Sequence, residues 1–144
     1  EAMETLAGLQ QEGLIGQLGV SNVTAEQVAE ARTVTSIVCV QNMYNLANRW
    51  DDHLIDSLAA DNIAYVPFFP LGGFTPLQAD ALTAVATRLE ATQMAVALAW
   101  LLQRSENILL IPGTSKVAHL RENITGASLS LTAQDVAELD NINS

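Results

Sequence analysis

Short apolar runs alternate with helical patterns along the whole chain. Apolar positions at helical spacing predict a first helix over residues 1–12, with Gly13 as its stop. Strands are predicted in four apolar runs, at residues 14–20, 37–40, 63–68 and 108–111. Because the last run is apolar on both faces, we expect it in the middle of a parallel sheet.

Helix-start signals lie between these runs. Residues 24–27 and 132–135 have the pattern of capping boxes, which predicts a helix after each. Either Asp51 or Asp52 can cap a helix that extends to about residue 60. Further helices are predicted at residues 78–89, 93–103 and 116–124.

The resulting order is a helix followed by four strand-helix units. Such alternation is typical of an α/β fold with a parallel sheet and right-handed crossovers. Four units cannot close a barrel of eight strands, so the chain is either an open α/β sheet or half of a (β/α)8 barrel. No linker or low-complexity stretch divides residues 1–144, which indicates a single domain.

The turn after the last predicted strand has the features of an anion site. Gly113 allows close backbone approach, and Ser115 can cap a helix that starts at about Lys116, which directs free N–H groups and a positive helix end toward a ligand. Lys116 is the only lysine, and Arg121 follows it in the same stretch. These cations indicate a nearby phosphate. The competing interpretation is a surface turn with a solvated lysine.

Composition limits the possible partners. The chain has 144 residues, 49% of them hydrophobic, which is enough for a sizeable core, and it contains no run of about 18 apolar residues that could span a bilayer. Sixteen acidic residues against six basic ones give a net charge of -10. This balance argues against nucleic acid and anionic membranes as partners, because both favour positive surfaces.

A few single residues add further constraints. The lone cysteine, Cys39, cannot form an internal disulfide and fits a reducing, cytoplasmic compartment. Two histidines and one distant cysteine do not make a metal site. The chain starts at Glu1 within a helical pattern, so we expect it to be a piece of a longer protein. The Gly- and Pro-rich loop at residues 69–76 is of a kind that is often functional.

Four motifs now appear in a recognisable order, at residues 19–22 (GVSN), 41–45 (QNMYN), 65–72 (YVPFFPLG) and 111–123 (IPGTSKVAHLREN). Over essentially all 144 residues the chain resembles the C-terminal half of the aldo-keto reductases. The resemblance implies strands five to eight of a (β/α)8 TIM barrel of the NADP-dependent oxidoreductase type. The cofactor it implies is NADPH.

The resemblance also implies roles at the nicotinamide and pyrophosphate end. Hydrogen bonds to the nicotinamide carboxamide would come from Ser21, Asn22 and Gln41. Phe68 replaces the aromatic residue, commonly tyrosine, that stacks under the nicotinamide ring, and stacking requires only a π face. The loop along the pyrophosphate would consist of Phe69, Pro70, Leu71, Gly72 and Gly73. Phe69 stands where many members have serine.

At the other end, the resemblance implies that the adenosine 2′-phosphate is held by Gly113, Thr114, Ser115 and Lys116. The adenine and ribose would be lined by His119, Glu122 and Asn123. Because His119 stands where many members have arginine or glutamine, a preference for NADPH over NADH would depend mainly on Ser115 and Lys116.

By the same resemblance, the complete protein would reduce aldehydes or ketones to alcohols by hydride transfer, with a small-molecule carbonyl compound as its partner. The family's catalytic tyrosine, lysine, aspartate and histidine belong to the first half of the barrel, so this chain is expected to hold no catalytic residue and to be inactive alone. Two alternatives stay open. One is a non-catalytic half-barrel that self-associates through open sheet edges at residues 17–20 and 108–111, and the other is a regulatory NADPH-binding subunit.

Overall fold

The computed structural model describes residues 1–72 and 80–143. The helices and strands follow one another as α1 (Ala2–Gln11), β1 (Leu18–Ser21), α2 (Ala25–Val34), β2 (Ile37–Gln41), α3 (Asp52–Ala60), β3 (Ala64–Tyr65), α4 (Asp80–Arg88), α5 (Gln93–Arg104), α6 (Val117–Gly126), α7 (Ala133–Asp140) and a 3-10 turn (Asn141–Asn143).

The sheet is parallel, as predicted, and its described strands lie in the order β1–β2–β3. Leu18 is in register with Ile37 and Ser21 with Gln41, so the carboxyl ends of β1 and β2 meet at one edge. The strand ends therefore carry their following loops to the same rim of the sheet.

The predicted position of the last strand is wrong. Residues 108–111 lie at the edge of the sheet and join it only through a single parallel bridge between Tyr65 and Ile108. Leu109 is 57% exposed and Ile111 is 45% exposed, whereas a central strand would bury both. The segment is an edge with no neighbour on its outer side among the described residues.

The predicted third strand, over residues 63–68, is also shorter than expected. It is regular only at Ala64–Tyr65, and Phe68 returns to the sheet through an isolated bridge to Met43. Val66 and Phe68 still donate to Val40 and Asn42, whereas Pro67 has no N–H to donate on the opposite side, toward residues 108–111.

The helix starts that the sequence predicts are correct only in part. The Thr24–Gln27 and Thr132–Asp135 capping boxes form with both reciprocal hydrogen bonds, and Gly13 ends α1 with a φ of 77°. Ser115 does not cap α6, which begins at Val117 with Lys116 in the cap position and no side-chain cap. The caps predicted at Asp51 or Asp52 are also wrong, because α3 starts without a side-chain cap hydrogen bond.

Aromatic side chains form the centre of the core between the sheet and the helices. Tyr44 stacks on Trp100 with ring centroids 5.8 Å apart and meets Tyr65 edge-on at 5.9 Å. All three are buried, and the indole N–H of Trp100 donates to Asp140 at 2.9 Å. A smaller cluster of Leu18, Ala31 and Ile37 packs under α1. Buried aromatics with satisfied polar ends fix the helices on the sheet.

None of the described helices combines the length and apolar character that crossing a membrane requires.

Candidate functional site

The loops after β1 and β2 meet through hydrogen bonds to one carbonyl. The hydroxyl of Ser21 donates to the carbonyl oxygen of Gln41 at 2.9 Å, and the N–H of Asn22 donates to the same oxygen at 2.9 Å. Asn22 makes this turn with a φ of 55°, a left-handed conformation that asparagine tolerates better than most residues. Three of the predicted site residues therefore lie together at the rim.

Phe68 lies next to this group. Its N–H donates to the carbonyl of Asn42 at 2.9 Å. Because Asn42 directly follows Gln41, Phe68 lies beside the end of β2. Its ring is half-buried and meets the ring of Phe69 edge-on at 5.4 Å. The stacking role of Phe68 stays a prediction.

A cleft separates the loop after β3 from the turn before α6. It has a volume of about 520 Å³ and is lined by Phe68, Phe69, Pro70, Leu71, Ile111, Pro112 and Gly113. Phe69 takes a φ of 53°, which is uncommon for an aromatic residue, and its carbonyl accepts hydrogen bonds from Asn45 and Gly72, both at 3.0 Å. These bonds hold the loop in its strained turn. Gly73, predicted to continue this loop, lies outside the described residues.

The turn that leads into α6 is exposed from Gly113 to Lys116. The hydroxyl of Thr114 accepts the N–H of Lys116 at 3.1 Å, which shapes the turn in place of the predicted Ser115 cap. The first N–H groups of α6 have no partner within the helix, as at any helix start. The turn thus presents backbone donors, two hydroxyls and an ammonium group to the solvent.

The charge around this turn is unusual for so acidic a chain. Arg32, Arg49, Arg88 and Arg104 all form salt bridges with carboxylates. Lys116 and Arg121 form none within residues 1–72 and 80–143. The two cations without a protein partner are therefore the two beside the α6 turn, where an anion can take the place of a carboxylate.

The remaining predicted residues lie on α6. His119, Glu122 and Asn123 are three and four positions apart and share a face of the helix. His119 and Glu122 are half-buried, and Asn123 is 9% exposed. The Oδ1 atom of Asn123 is buried without a hydrogen-bond partner in the part of the chain that the structure describes. The contact of Asn123 with an adenine base stays a prediction.

The sequence patterns missed the contact between two polar residues of the rim. The buried amide of Asn42 donates to the half-buried carboxylate of Asp51, which the sequence predicts only as a helix cap. No three histidine, cysteine, aspartate or glutamate side chains come together as a metal site in the described ranges.

The Aldo/keto reductase family model matches residues 1–144. Pyridoxine 4-dehydrogenase of Escherichia coli (strain K12) is 62% identical over 141 residues, which are 98% of this chain and 49% of that protein. An uncharacterized oxidoreductase of Schizosaccharomyces pombe is 39% identical over 136 residues, covering 94% of this chain and 44% of that protein.

A solved structure supports the same assignment. A thermostable aldo-keto reductase, Tm1743, matches with a TM-score of 0.89 at 29% identity, over 99% of this chain and 54% of that chain. The chain spans about half the length of the curated relatives it matches. Its parallel strand-helix units form half of a (β/α)8 barrel, as the sequence motifs predict. The chain belongs to the aldo/keto reductase family.

Proposed function

We propose that this chain is the cofactor-binding half of an NADPH-dependent reductase that converts an aldehyde or ketone to an alcohol. The observation that carries the proposal is the cleft of about 520 Å³ between the loop after β3 and the α6 turn. Lys116 at that turn and Arg121 in α6 form no salt bridge with any described residue. A dinucleotide with phosphates along its length requires such a cleft and such charges.

Each end of the cofactor has its own group of residues. Ser21, Asn22 and Gln41 orient the nicotinamide carboxamide, and Phe68 supplies a ring face for stacking. Bound NADPH supplies the hydride, while the chain determines which face of the nicotinamide meets the substrate. No residue of these 144 is assigned as proton donor.

The opposite end holds the adenosine part. Thr114, Ser115 and Lys116 bind the 2′-phosphate, because their hydroxyls and ammonium group surround the first free N–H groups of α6. His119, Glu122 and Asn123, on the helix that follows, line the adenine and the ribose.

The relatives indicate the substrate class. Dehydrogenation of an alcohol is the reverse of carbonyl reduction, so the name pyridoxine 4-dehydrogenase and the proposed reductase activity describe one kind of reaction. We therefore propose an aldehyde–alcohol pair as substrate and product of the complete protein, with pyridoxine and its 4-aldehyde as the first pair to assay. A reducing cytoplasmic compartment remains a prediction from the single cysteine.

Fluorescence titration of the chain with NADPH and with NADH tests the cofactor assignment. Lys116→Ala is expected to weaken NADPH binding about tenfold, the loss of one charge-assisted hydrogen bond, and to leave NADH binding nearly unchanged. Arg32→Ala is the matched control, since it removes one cation from an exposed ion pair with Asp61. Equal NADPH affinities for the wild type and Lys116→Ala would contradict the phosphate turn.

A second candidate function is a non-catalytic half-barrel that pairs with a second copy. The described part of the sheet has β1 at one side and the segment 108–111 at the other, and apolar side chains remain exposed at Leu109, Ile111, Val117, Leu120 and Ile124. Unpaired edges with apolar side chains favour association.

Sedimentation equilibrium tests whether the chain self-associates. A dimer is expected if the edges pair, and Leu109→Lys should then dissociate it, while Leu14→Lys, at another exposed leucine, should not. A wild-type chain that is monomeric at high micromolar concentration would rule the self-association out.

A further inference from the structure

Asn42 is a buried polar residue at the centre of the rim. It is 6% exposed, and its side-chain amide is bonded on both sides. The Oδ1 atom accepts the N–H of Val23 at 3.0 Å, and the Nδ2 atom donates to the carbonyl of Val23 at 2.8 Å and to Asp51 at 2.7 Å. Both polar atoms of the amide are therefore satisfied, as a buried amide requires.

The side chain and the backbone carbonyl of Asn42 together connect the loops that follow three strands. Val23 follows Asn22 in the loop after β1, and Asn42 itself follows Gln41 at the end of β2. The carbonyl of Asn42 accepts the N–H of Phe68, in the loop after β3, at 2.9 Å. Gln41 and Phe68 are proposed nicotinamide contacts, and Val23 is the direct neighbour of a third, Asn22.

Hydrogen bonds to Asp51 fix Asn42 in turn. The Oδ2 atom of Asp51 accepts both the Nδ2 of Asn42 and the hydroxyl of Tyr65, the latter at 2.8 Å. Tyr65 is fully buried, and burial together with the hydrogen bond to Asp51 raises the pKa of its hydroxyl, so it stays a donor. The carboxylate of Asp51 is thereby held at the start of α3 without capping that helix.

We propose that Asn42 is a positioning residue for the nicotinamide end of the cofactor site, holding Ser21, Asn22, Gln41 and Phe68 in one arrangement. The inference rests on the proposed function and adds a residue that does not itself touch the cofactor. Loss of the amide removes two of the hydrogen bonds that hold the loop after β1 against the loop after β2. The carboxamide contacts then have to be ordered when the cofactor binds, which weakens binding.

The adenosine end of the proposed cofactor site serves as an internal control for damage to the fold. None of the hydrogen bonds of Asn42 reaches the α6 turn, where Lys116 and Asn123 lie. A ligand that contains only the adenosine 2′,5′-bisphosphate part of NADPH tests the α6 turn without the nicotinamide contacts. A positioning role therefore predicts different effects on the two ligands, whereas damage to the fold predicts similar effects.

The experiment compares the dissociation constants of NADPH and adenosine 2′,5′-bisphosphate for the chain, by fluorescence titration and calorimetry. The wild type is expected to bind NADPH more tightly than the bisphosphate. Asn42→Ala should weaken NADPH binding about tenfold and bisphosphate binding less than about twofold. Asp51→Asn, which keeps the shape but not the charged acceptor, should give a smaller loss of the same kind and serves if Asn42→Ala does not fold.

The outcomes separate the two proposals. Parallel losses for both ligands, or an unchanged NADPH affinity in a folded Asn42→Ala chain, would overturn the positioning role and leave the proposed function standing. So would a wild-type chain that binds both ligands equally well. A wild-type chain that binds neither ligand would overturn the proposed function and this inference together.

Discussion

Gly126 of α6 lies directly against Ala95 of α5. A Cβ atom at position 126 would lie 2.8 Å from the Cα of Ala95 and 3.2 Å from its carbonyl oxygen. Real Cβ atoms do not approach backbone this closely, so the two helices can cross at this distance only because residue 126 has no side chain. The crossing holds α6, and the turn that leads into it, against the core helix α5.

Gly126→Ala is therefore expected to lower the free energy of unfolding by about 1–3 kcal/mol, as overpacking does, although alanine is the better helix former. Gly8→Ala in α1 is the matched control, because a Cβ there meets nothing within 4 Å. The control should stabilise the chain by up to about 1 kcal/mol. Urea unfolding of both variants measures the difference, and a stabilised Gly126→Ala chain would refute the close crossing.

A similar close approach occurs in the sheet between Gly19 and Cys39. A Cβ on Gly19 would lie 2.5 Å from the Sγ of Cys39 and 3.0 Å from its carbonyl oxygen. We expect Gly19→Ala to cost about 1–3 kcal/mol and Gly19→Ala/Cys39→Ala to recover part of that cost, since the sulfur clash disappears and the carbonyl contact remains. Strictly additive effects in this double-mutant cycle would show that the two side chains do not collide.

Asp135 makes the chain sensitive to acid. Its carboxylate accepts the hydroxyl of Thr132 at 2.6 Å and pairs with Arg88 at 2.5 Å, and these contacts lower its pKa from the ordinary value of 3.8 to about 2. Because the folded pKa lies below the unfolded one, this stabilisation is complete above about pH 4 and is lost as the pH falls toward 2.

Asp135→Asn should lower the free energy of unfolding at pH 6 by about 1–3 kcal/mol, the usual contribution of hydrogen bonds to a charged group. The difference in the free energy of unfolding between wild type and variant should narrow as the pH falls from about 4 to about 2. Urea unfolding at several pH values measures the gap, and the other carboxylates cancel because both chains carry them. A gap of constant size would mean that Asp135 keeps its ordinary pKa.

Asp52 and Asp61 both pair with arginine, but in different surroundings. Asp52 accepts the buried hydroxyl of Tyr44 and binds Arg49 and Arg104 at 3.0 and 3.3 Å. Burial opposes the charge of Asp52, yet the Tyr44 hydrogen bond and the two arginines outweigh it and lower the pKa.

We expect Asp52→Asn to cost about 1.5–3 kcal/mol, because it leaves a buried hydroxyl and two partly buried guanidinium groups with a weaker acceptor. Asp61→Asn, at the exposed pair with Arg32, should cost less than about 1 kcal/mol. Thermal unfolding of the two single variants compares them directly. Equal costs would mean that the Asp52 cluster is no better shielded from water than a surface ion pair.

The sequence predicted those features that depend on neighbouring residues. The capping boxes at Thr24 and Thr132 were correct because cap and acceptor are three residues apart in one chain segment. The cap predicted at Asp51 failed because its carboxylate instead binds Asn42 and Tyr65, nine and fourteen residues away. Local patterns identify a residue that can cap a helix, but they do not show which distant donors compete for it.

The same limit explains the errors in the sheet and the site. An apolar pattern at residues 108–111 indicates which side chains favour burial, and in half a barrel the outer strand lacks the neighbour that would bury Leu109 and Ile111. The pairing of Asn42 with Val23 joins residues nineteen positions apart, which no periodicity reveals. The motifs did indicate which loops share the rim, because parallel strands carry their following loops to the same edge.

The ion pairs of the four bridged arginines have a consequence for ligand encounter. Each of these arginines is neutralised by a carboxylate, so the electrostatic field far from the protein follows its net charge of -10 and repels anions. Lys116 and Arg121 attract an anion only at close range. Dissolved ions screen interactions beyond about 10 Å at 0.1 M ionic strength. Added salt therefore speeds the approach of an anionic ligand through the repulsive outer field, and it also speeds the departure of that ligand from the exposed lysine.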